Sequence, residues 1–314
     1  MPRTVPAAPA RDPGATSLLE TLRQYRTGYL ILAPGLLLIS ALAFAPALYS
    51  IALSFQNRDL ARAGAVEWVG FANYAAWLAD PKFWWAAWIS LVFVAAAVTL
   101  QVIVGLGVAL LFNREFPGRE VCRALILLPW VLPMVSAANA WLWILNPVYG
   151  IVNGTLLSAG FIAEPLQWLS SPVGALWAVV LIKVWKAFPF ATLLFMAGLS
   201  NIPKERYEAA AIDGATAWQR FRHVTLPGLR QVLLVVLLLQ TIWTFNDITT
   251  IYLLTTGGPG DSTTSLPILV YQTAFAAGNL SKGAAGSILM FAIAGAMIFA
   301  YVRLYARNEE AARG

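Results

Sequence analysis

Long apolar stretches recur along the chain, separated by polar segments. Each stretch holds roughly 20 or more residues with few charges, which is the length an α-helix needs to cross about 30 Å of hydrocarbon. The pattern predicts an all-α, polytopic membrane protein, with one domain at 28–305 and tails at 1–27 and 306–314. The six predicted membrane-spanning helices cover residues 28–55, 83–112, 124–145, 173–199, 229–254 and 283–305.

Composition supports a membrane environment. Hydrophobic residues make up 59% of the 314 positions and charged residues 11%, whereas a soluble domain has about 25% charged residues. The first apolar run is too long for the hydrophobic region of a cleaved signal peptide. We therefore expect residues 1–27 to be a retained tail.

The distribution of positive charge predicts the orientation. Segments 1–27, 113–123, 200–230 and the C-terminal end together carry 15 of the 21 Lys and Arg residues. Because loops rich in Lys and Arg stay in the cytoplasm, both termini should face the cytoplasm. The net charge of +6 follows from this asymmetry, so nucleic acid need not be invoked as a partner.

Aromatic residues predict contacts with the membrane surface. Tryptophan side chains favour the interface between lipid and water, and five of them cluster around the first outer loop. An apolar run at 156–162 predicts a short helix at the outer surface. The expected interfacial anchors in contact with lipid are Trp68, Trp77, Trp84, Trp85 and Trp88.

The segment 200–228, between the fourth and fifth predicted spans, has its own helical pattern. Asn201 suits the N-cap of a first short helix, and Gly214 suits its left-handed end. Thr216 and Gln219 form a capping-box pattern for a second short helix. The pattern predicts two short helices joined at a glycine, which would form a compact protrusion that another protein could contact. The alternative is a loop that packs only on its own bundle.

Segment 200–228 contains Glu208, Ala209 and Ala210, then Gly214, then Val224, Leu226 and Pro227. This spacing resembles the EAA motif of ABC importer permeases. The longer strings 202–227 (IPKERYEAAAIDGATAWQRFRHVTLP) and 253–259 (LLTTGGP) are similar to permeases for sugars, and the likeness extends from Tyr29 onward. Val224 departs from the isoleucine that is usual in the family. The residues that this resemblance assigns to contact with an ATPase are Glu208, Ala209, Ala210, Ile212, Asp213, Gly214, Leu226 and Pro227.

The resemblance implies a permease subunit of a bacterial ABC importer in the cytoplasmic (inner) membrane, with segment 200–228 as a cytoplasmic coupling helix pair. The implied partners are a second related permease, two ATP-binding subunits and an extracytoplasmic solute-binding protein. ATP and Mg²⁺ would bind to the ATPase subunits, so this chain would need no cofactor and would not be an enzyme. In agreement, none of its five lysines is followed by Ser or Thr, so a Walker A sequence is absent. The only histidine, His223, has no metal-binding or catalytic constellation around it in the sequence.

Polar residues inside the fourth and fifth spans predict a solute path. Ionisable groups in a membrane are costly, so they usually face the interior of a bundle or a water-filled path. Helical spacing places each set on one face of its helix, and an aromatic ring beside hydrogen-bonding groups suits a sugar. The resemblance indicates the same positions. The predicted solute-path residues are Lys183, Lys186 and Phe190 in the fourth span, and Gln240, Trp243, Thr244 and Asp247 in the fifth.

Four alternatives remain open from the sequence. Lys183 and Lys186 depart from many sugar permeases, which leaves room for a phosphorylated or acidic solute. The same lysines and Asp247 could instead neutralise one another or extend toward an interface, and a partner permease could make the solute contacts. A self-sufficient secondary transporter or channel is the competing class, although the sequence has no convincing internal repeat or matching pair of interrupted helices.

Overall fold

The computed structural model describes residues 26–59 and 66–313, with side chains through Arg303. Contacts divide the chain into two units, residues 1–52 and 53–314. The predicted tail at 1–27 lies almost entirely outside the described residues. The final helix continues to Arg313, so it includes nearly all of the tail that was predicted at 306–314.

In the first unit the chain forms one long helical segment that ends just inside the second unit. It consists of α1 (Arg26–Ile39), a π-helical turn (Ser40–Phe44) and α2 (Ala45–Ser54). Arg26–Ser54 is 29 residues long and apolar enough to cross a membrane. The first predicted span is therefore confirmed as a helix.

In the second unit, three further helices are long and apolar enough to cross a membrane, and they confirm the second, fourth and sixth predicted spans. Two of them begin with a side-chain cap followed by proline, a pattern that suits a first helical turn. Asp80 accepts from the backbone N–H of Lys82, and Ser171 accepts from that of Gly174. The three helices are α4 (Pro81–Phe112), α8 (Pro172–Ser200) and α15 (Leu280–Arg313).

The third and fifth predicted spans are each interrupted, whereas the sequence predicted continuous helices. The third consists of α5 (Arg119–Val131) and α6 (Met134–Ile144), which meet at 97°. The fifth begins as α12 (Arg230–Phe245) and resumes as α13 (Thr249–Leu254) after a break. A second strong bend, of 67°, lies between Ala217–Gly228 and α12, and with each strongly bent pair counted as one span the described residues contain up to six candidate spans.

Helices α4 and α8 form the main helix pair of the second unit, and α12 packs against both of them. Their approach is close because small residues meet. A Cβ atom added to Gly105 of α4 would lie 2.8 Å from the Cβ of Ala191 in α8. The fully buried side chains of Phe93, Val179 and Phe195 fill the surrounding core.

Several short elements complete the second unit. Strands β1 (Gln56–Asn57) and β2 (Glu67–Trp68) pair antiparallel, with Gln56 opposite Trp68. The short helices are α3 (Ala72–Leu78), α7 (Ile151–Ser158) and α14 (Leu266–Tyr271), the last followed by a π-helical turn (Gln272–Ala276). Helix α7 begins five residues before the predicted apolar run at 156–162. Helix α14 was not predicted because it is too short to span a membrane.

The predicted tryptophan anchors divide into two groups. Trp68, Trp84, Trp85 and Trp88 are exposed, as expected for an interfacial position. Trp77 is only 1% exposed, so the prediction was wrong for this residue. Its indole N–H donates to the carbonyl of Lys282 at 2.6 Å. The cause is that α3 packs against α15, which covers the ring.

Candidate functional site

Segment 200–228 folds as two short helices, α9 (Lys204–Ile212) and α10 (Ala217–Arg220), followed by a π-helical turn (Phe221–Thr225) and α11 (Leu226–Gly228). Gly214 has φ +77°, so it ends α9 in the left-handed conformation as predicted.

The starts of the two short helices differ in how well the sequence predicted them. The capping box of α10 is confirmed, because Thr216 accepts from the N–H of Gln219 while Gln219 accepts from the N–H of Thr216. The predicted cap at Asn201 was wrong, since Asn201 ends α8 and Pro203 occupies the N-cap of α9 without a side-chain bond. Proline disfavours helical backbone in the residue before it. Helix α9 therefore cannot begin before Pro203, and it begins at Lys204.

One side of this segment is anchored to the helical bundle. Ile202 is buried against Gly228, where an added Cβ would lie 2.7 Å from the Ile202 side chain. The hydroxyl groups of Tyr207 and Thr225 lie 3.1 Å apart and tie α9 to the π-helical turn. The segment is therefore a fixed part of the fold.

The other side of the segment is uncovered. No residue of α9 is buried, and the side chain of Ile212 is 87% exposed. Trp218 is 67% exposed and stacks on Phe221 with ring centroids 5.4 Å apart. The stacked rings of Trp218 and Phe221 form a partly exposed apolar patch, a feature that marks protein interaction sites. Of the motif residues, Glu208, Ala209, Asp213, Gly214, Leu226 and Pro227 are exposed and Ala210 is half-buried.

A cleft of about 590 Å³ opens beside this uncovered surface. Arg114 follows the end of α4, and Arg220 ends α10; both line the cleft together with Trp218 and Tyr207. Trp218 and these two arginines are functional candidates that the sequence patterns did not predict. An aromatic residue in a short polar helix was the signal that could have identified Trp218.

The second candidate region lies where α8 passes the breaks in the neighbouring helices. Lys183 of α8 lies 2.7 Å from a carboxylate oxygen of Asp247, and both side chains are nearly buried. Asp247 also accepts from the backbone N–H of Thr250 at 3.0 Å and from its hydroxyl at 2.6 Å. The carboxylate thus caps the start of α13 and neutralises Lys183, as one of the open alternatives proposed.

Lys186 does not join this ion pair. Its ammonium donates to the carbonyl of Pro129 at 2.8 Å, to that of Trp130 at 3.1 Å and to that of Leu132. These carbonyls belong to the broken end of α5, where no following turn supplies N–H donors. A cation at a helix C-terminus is also electrostatically favourable.

Three aromatic rings meet one turn along α8 from Lys186. Phe190 lies 4.8 Å from Trp243 of α12 and 5.7 Å from Trp130 of α5, measured between ring centroids. We call Trp130, Phe190 and Trp243 the aromatic cluster. Both tryptophans are 45% exposed, so the cluster presents an accessible face. Trp130 was not predicted as a path residue, because the break between α5 and α6 that brings it beside Phe190 is not evident from the sequence.

Two predicted solute-path residues are buried between helices. Gln240 is 1% exposed and its amide donates to the carbonyl of Ala187 at 3.1 Å. Thr244 is also 1% exposed, and its hydroxyl has no hydrogen-bond partner. In this conformation the accessible part of the predicted path is therefore formed mainly by the aromatic cluster.

The fold and these two regions define a polytopic membrane protein with an uncovered segment of short helices between two spans. Residues 101–310 match the family model for the binding-protein-dependent transport system inner membrane component. The chain belongs to this family.

Relatives and a solved structure agree with this assignment. The chain is 37% identical to the trehalose/maltose transport system permease protein MalF of Thermococcus litoralis, over 93% of this chain and 98% of the relative. It is 41% identical to the inner membrane ABC transporter permease protein YcjO of Escherichia coli, over 86% of this chain and 90% of the relative. A crystal structure of a bacterial ABC transporter that imports the acidic polysaccharide alginate superposes with a TM-score of 0.79 at 20% identity, covering 92% of this chain and 98% of that chain.

Proposed function

We propose that this chain is a transmembrane permease subunit of an ATP-driven importer for a sugar or oligosaccharide. The observation that carries the proposal is the anchored but uncovered segment 200–228, which lies directly between the two helices that hold Phe190 and Trp243. The trehalose/maltose permease relative, aligned over nearly the whole chain, supports a saccharide as solute.

In this proposal, both termini and segment 200–228 face the cytoplasm. The uncovered surface around Ile212 and Trp218 docks on one of two ATP-binding subunits, which bind ATP and Mg²⁺. A second, related permease and an extracytoplasmic solute-binding protein complete the importer in the inner membrane. The concentration of basic residues on this side supports the orientation.

Movement of segment 200–228 would be transmitted to the solute path through the adjoining ends of α8 and α12. Ile202 and Gly228 hold the segment to the junctions with α8 and α12. Closure of the ATP-binding subunits would shift these junctions and change the separation of Phe190 and Trp243. Such a change between inward-facing and outward-facing states is alternating access.

The aromatic cluster suits a saccharide because sugar C–H faces stack on aromatic rings while hydroxyl groups form hydrogen bonds. Its two half-exposed tryptophans provide the stacking surface. Gln240 and Thr244 retain unpaired oxygen atoms next to this region and would become available if α8 and α12 separate.

A self-sufficient transporter is the alternative, but it would give the uncovered segment no partner. The test is affinity purification of the tagged chain from detergent-solubilised native membranes, followed by mass spectrometry. We expect a Walker-type ATPase and a second six-span protein in the eluate. Recovery of the chain alone, under conditions that keep a known importer intact, would contradict the proposal.

A further inference from the structure

The break between α5 and α6 creates a specific hydrogen-bonding problem. In a continuous helix the carbonyl of Pro129 would accept from the residue four positions later, which is Pro133. Proline has no N–H, and α5 ends at Val131. In membrane helices the carbonyls that proline leaves without a donor are commonly satisfied by neighbouring helices, side chains or ordered waters. A donor from another part of the protein can therefore hold the carbonyls at this break.

Lys186 supplies that donor from a different helix. An ammonium group has three hydrogen-bond donors and no acceptor, and three carbonyls from the broken turn accept from it. All three donors are thus used by backbone groups. The ammonium has no donor left for a solute in this arrangement.

The broken turn also carries a ring of the aromatic cluster. Trp130 offers its carbonyl to Lys186 and stacks its indole near Phe190, with ring centroids 5.7 Å apart. Lys186 and Phe190 are four residues apart in α8, so they lie on the same helical face. One face of α8 consequently holds Trp130 at two points, by its backbone and by its ring.

We propose that Lys186 is a positioning residue for solute transport and that Trp130 is a solute-contacting ring. Lys186 fixes the end of α5 on α8, so Trp130 remains beside Phe190 and Trp243 and completes the stacking surface. The charge of Lys186 does not recognise the solute. This inference rests on the proposed saccharide import and extends it by giving Lys186 no part in recognising solute charge.

The competing role for Lys186 is a countercharge for a phosphorylated or acidic solute. In that role the solute anion would replace the carbonyl partners, and the effect of a substitution would depend on solute charge. In the positioning role the effect depends on the presence of Trp130. A double-mutant cycle separates these two dependences.

The experiment uses the complete importer, reconstituted in proteoliposomes with its partner subunits and binding protein. Uptake of radiolabelled trehalose, maltose and trehalose 6-phosphate is measured for the wild type and the variants. The variants are Lys186→Met, Lys186→Arg, Trp130→Ala and the double variant Lys186→Met with Trp130→Ala. If Lys186→Met does not assemble, Lys186→Gln, which keeps two amide donors, takes its place.

We expect Lys186→Met to raise KM for a transported neutral disaccharide by roughly threefold to tenfold, comparable to the loss of one aromatic contact. The maximal rate should change much less, and Lys186→Arg, which keeps the donors, should restore KM. In the Trp130→Ala background the same lysine substitution should add less than about twofold. The proposal would be overturned if the two substitutions raised KM independently, so that their effects multiplied in the double variant. A loss of trehalose 6-phosphate uptake alone in Lys186→Met would also overturn it.

A second readout does not depend on the solute. Cys122 is the only cysteine, so Cys122→Ser provides a background for Trp130→Cys with Phe190→Cys. A short bifunctional maleimide should cross-link this pair readily, more slowly after Lys186→Met and at the original rate after Lys186→Arg. Unchanged cross-linking after Lys186→Met would overturn the positioning role. If the wild-type importer takes up no saccharide while the cross-linking rates change as expected, the positioning role stands and the proposed solute is wrong.

Discussion

The ammonium of Lys183 lies 2.7 Å from the carboxylate of Asp247 and joins the continuous helix α8 to the break between α12 and α13. Asp247 also receives two hydrogen bonds from Thr250. This geometry makes the pair part of the helical framework. A buried charge that loses its partner is strongly unfavourable.

Removing one member of this pair should therefore cost more than removing both. We expect Lys183→Met to destabilise the protein by about 3 kcal/mol or more. Lys183→Met combined with Asp247→Asn should recover much of the loss, because no unpaired charge remains. Thermal unfolding of the detergent-purified complex measures both effects.

The matched control is the exposed pair formed by Lys82 and Asp261, whose charged atoms lie 4.0 Å apart. Lys82→Met should leave the unfolding temperature nearly unchanged, since exposed ion pairs contribute little. Equal losses from Lys82→Met and Lys183→Met would contradict the framework role of the buried pair.

Close packing of α4 on α8 predicts a strong effect at Gly105. A methyl group there would meet the Ala191 side chain at 2.8 Å and the Thr192 backbone nitrogen at 3.2 Å. Gly105→Ala should destabilise the protein by about 1–3 kcal/mol, as overpacking does. Gly107, on the same helix, has no atom within 4 Å of an added Cβ. Gly107→Ala should be tolerated, and similar unfolding temperatures for the two variants would show that the helices do not pack as described.

The left-handed backbone at Gly214 predicts a defect in coupling. Gly214→Val would strain the turn between α9 and α10, because side chains disfavour φ near +77°. We expect reduced solute-stimulated ATP hydrolysis in the reconstituted complex, with normal membrane insertion. Gly154→Ala in α7, where an added Cβ meets nothing within 4 Å, serves as the control. Full coupling in Gly214→Val would remove this turn from the coupling segment.

The exposed ring of Trp218 predicts a loss of partner affinity without loss of fold. Trp218→Ala should weaken co-purification of the ATPase by roughly tenfold or more, as expected for a tryptophan at the centre of an interface. Its unfolding temperature should remain close to that of the wild type. Trp84→Ala removes a similarly exposed ring elsewhere and should leave ATPase binding intact. An unchanged ATPase yield from Trp218→Ala would exclude this ring from the interface.

The sequence was sufficient to predict features that depend on local chemistry or on long runs. Four spans were predicted to within a few residues, since about 20 apolar positions already satisfy the thickness of the bilayer. The capping box at Thr216 and Gln219 and the left-handed turn at Gly214 depend on neighbouring residues only. These features needed no knowledge of tertiary contacts.

Features that depend on distant partners could not be predicted in the same way. Proline in a membrane helix can be tolerated or can break the helix, depending on which neighbour satisfies the freed carbonyls. Pro133 breaks the third span where Lys186, more than 50 residues away, provides the donors. Trp77 matches the composition of an interfacial anchor, yet the packing of α3 on α15 buries it.

ATP-driven uptake by the reconstituted complex is the decisive test of import by this permease. Proteoliposomes that contain the chain, its co-purified permease and ATPase, and the solute-binding protein are assayed with radiolabelled trehalose and maltose. We expect accumulation of a saccharide that requires ATP and is abolished by Glu208→Ala together with Gly214→Val. Saccharide accumulation that persists without ATP, or that is driven by an ion gradient in the chain alone, would contradict it.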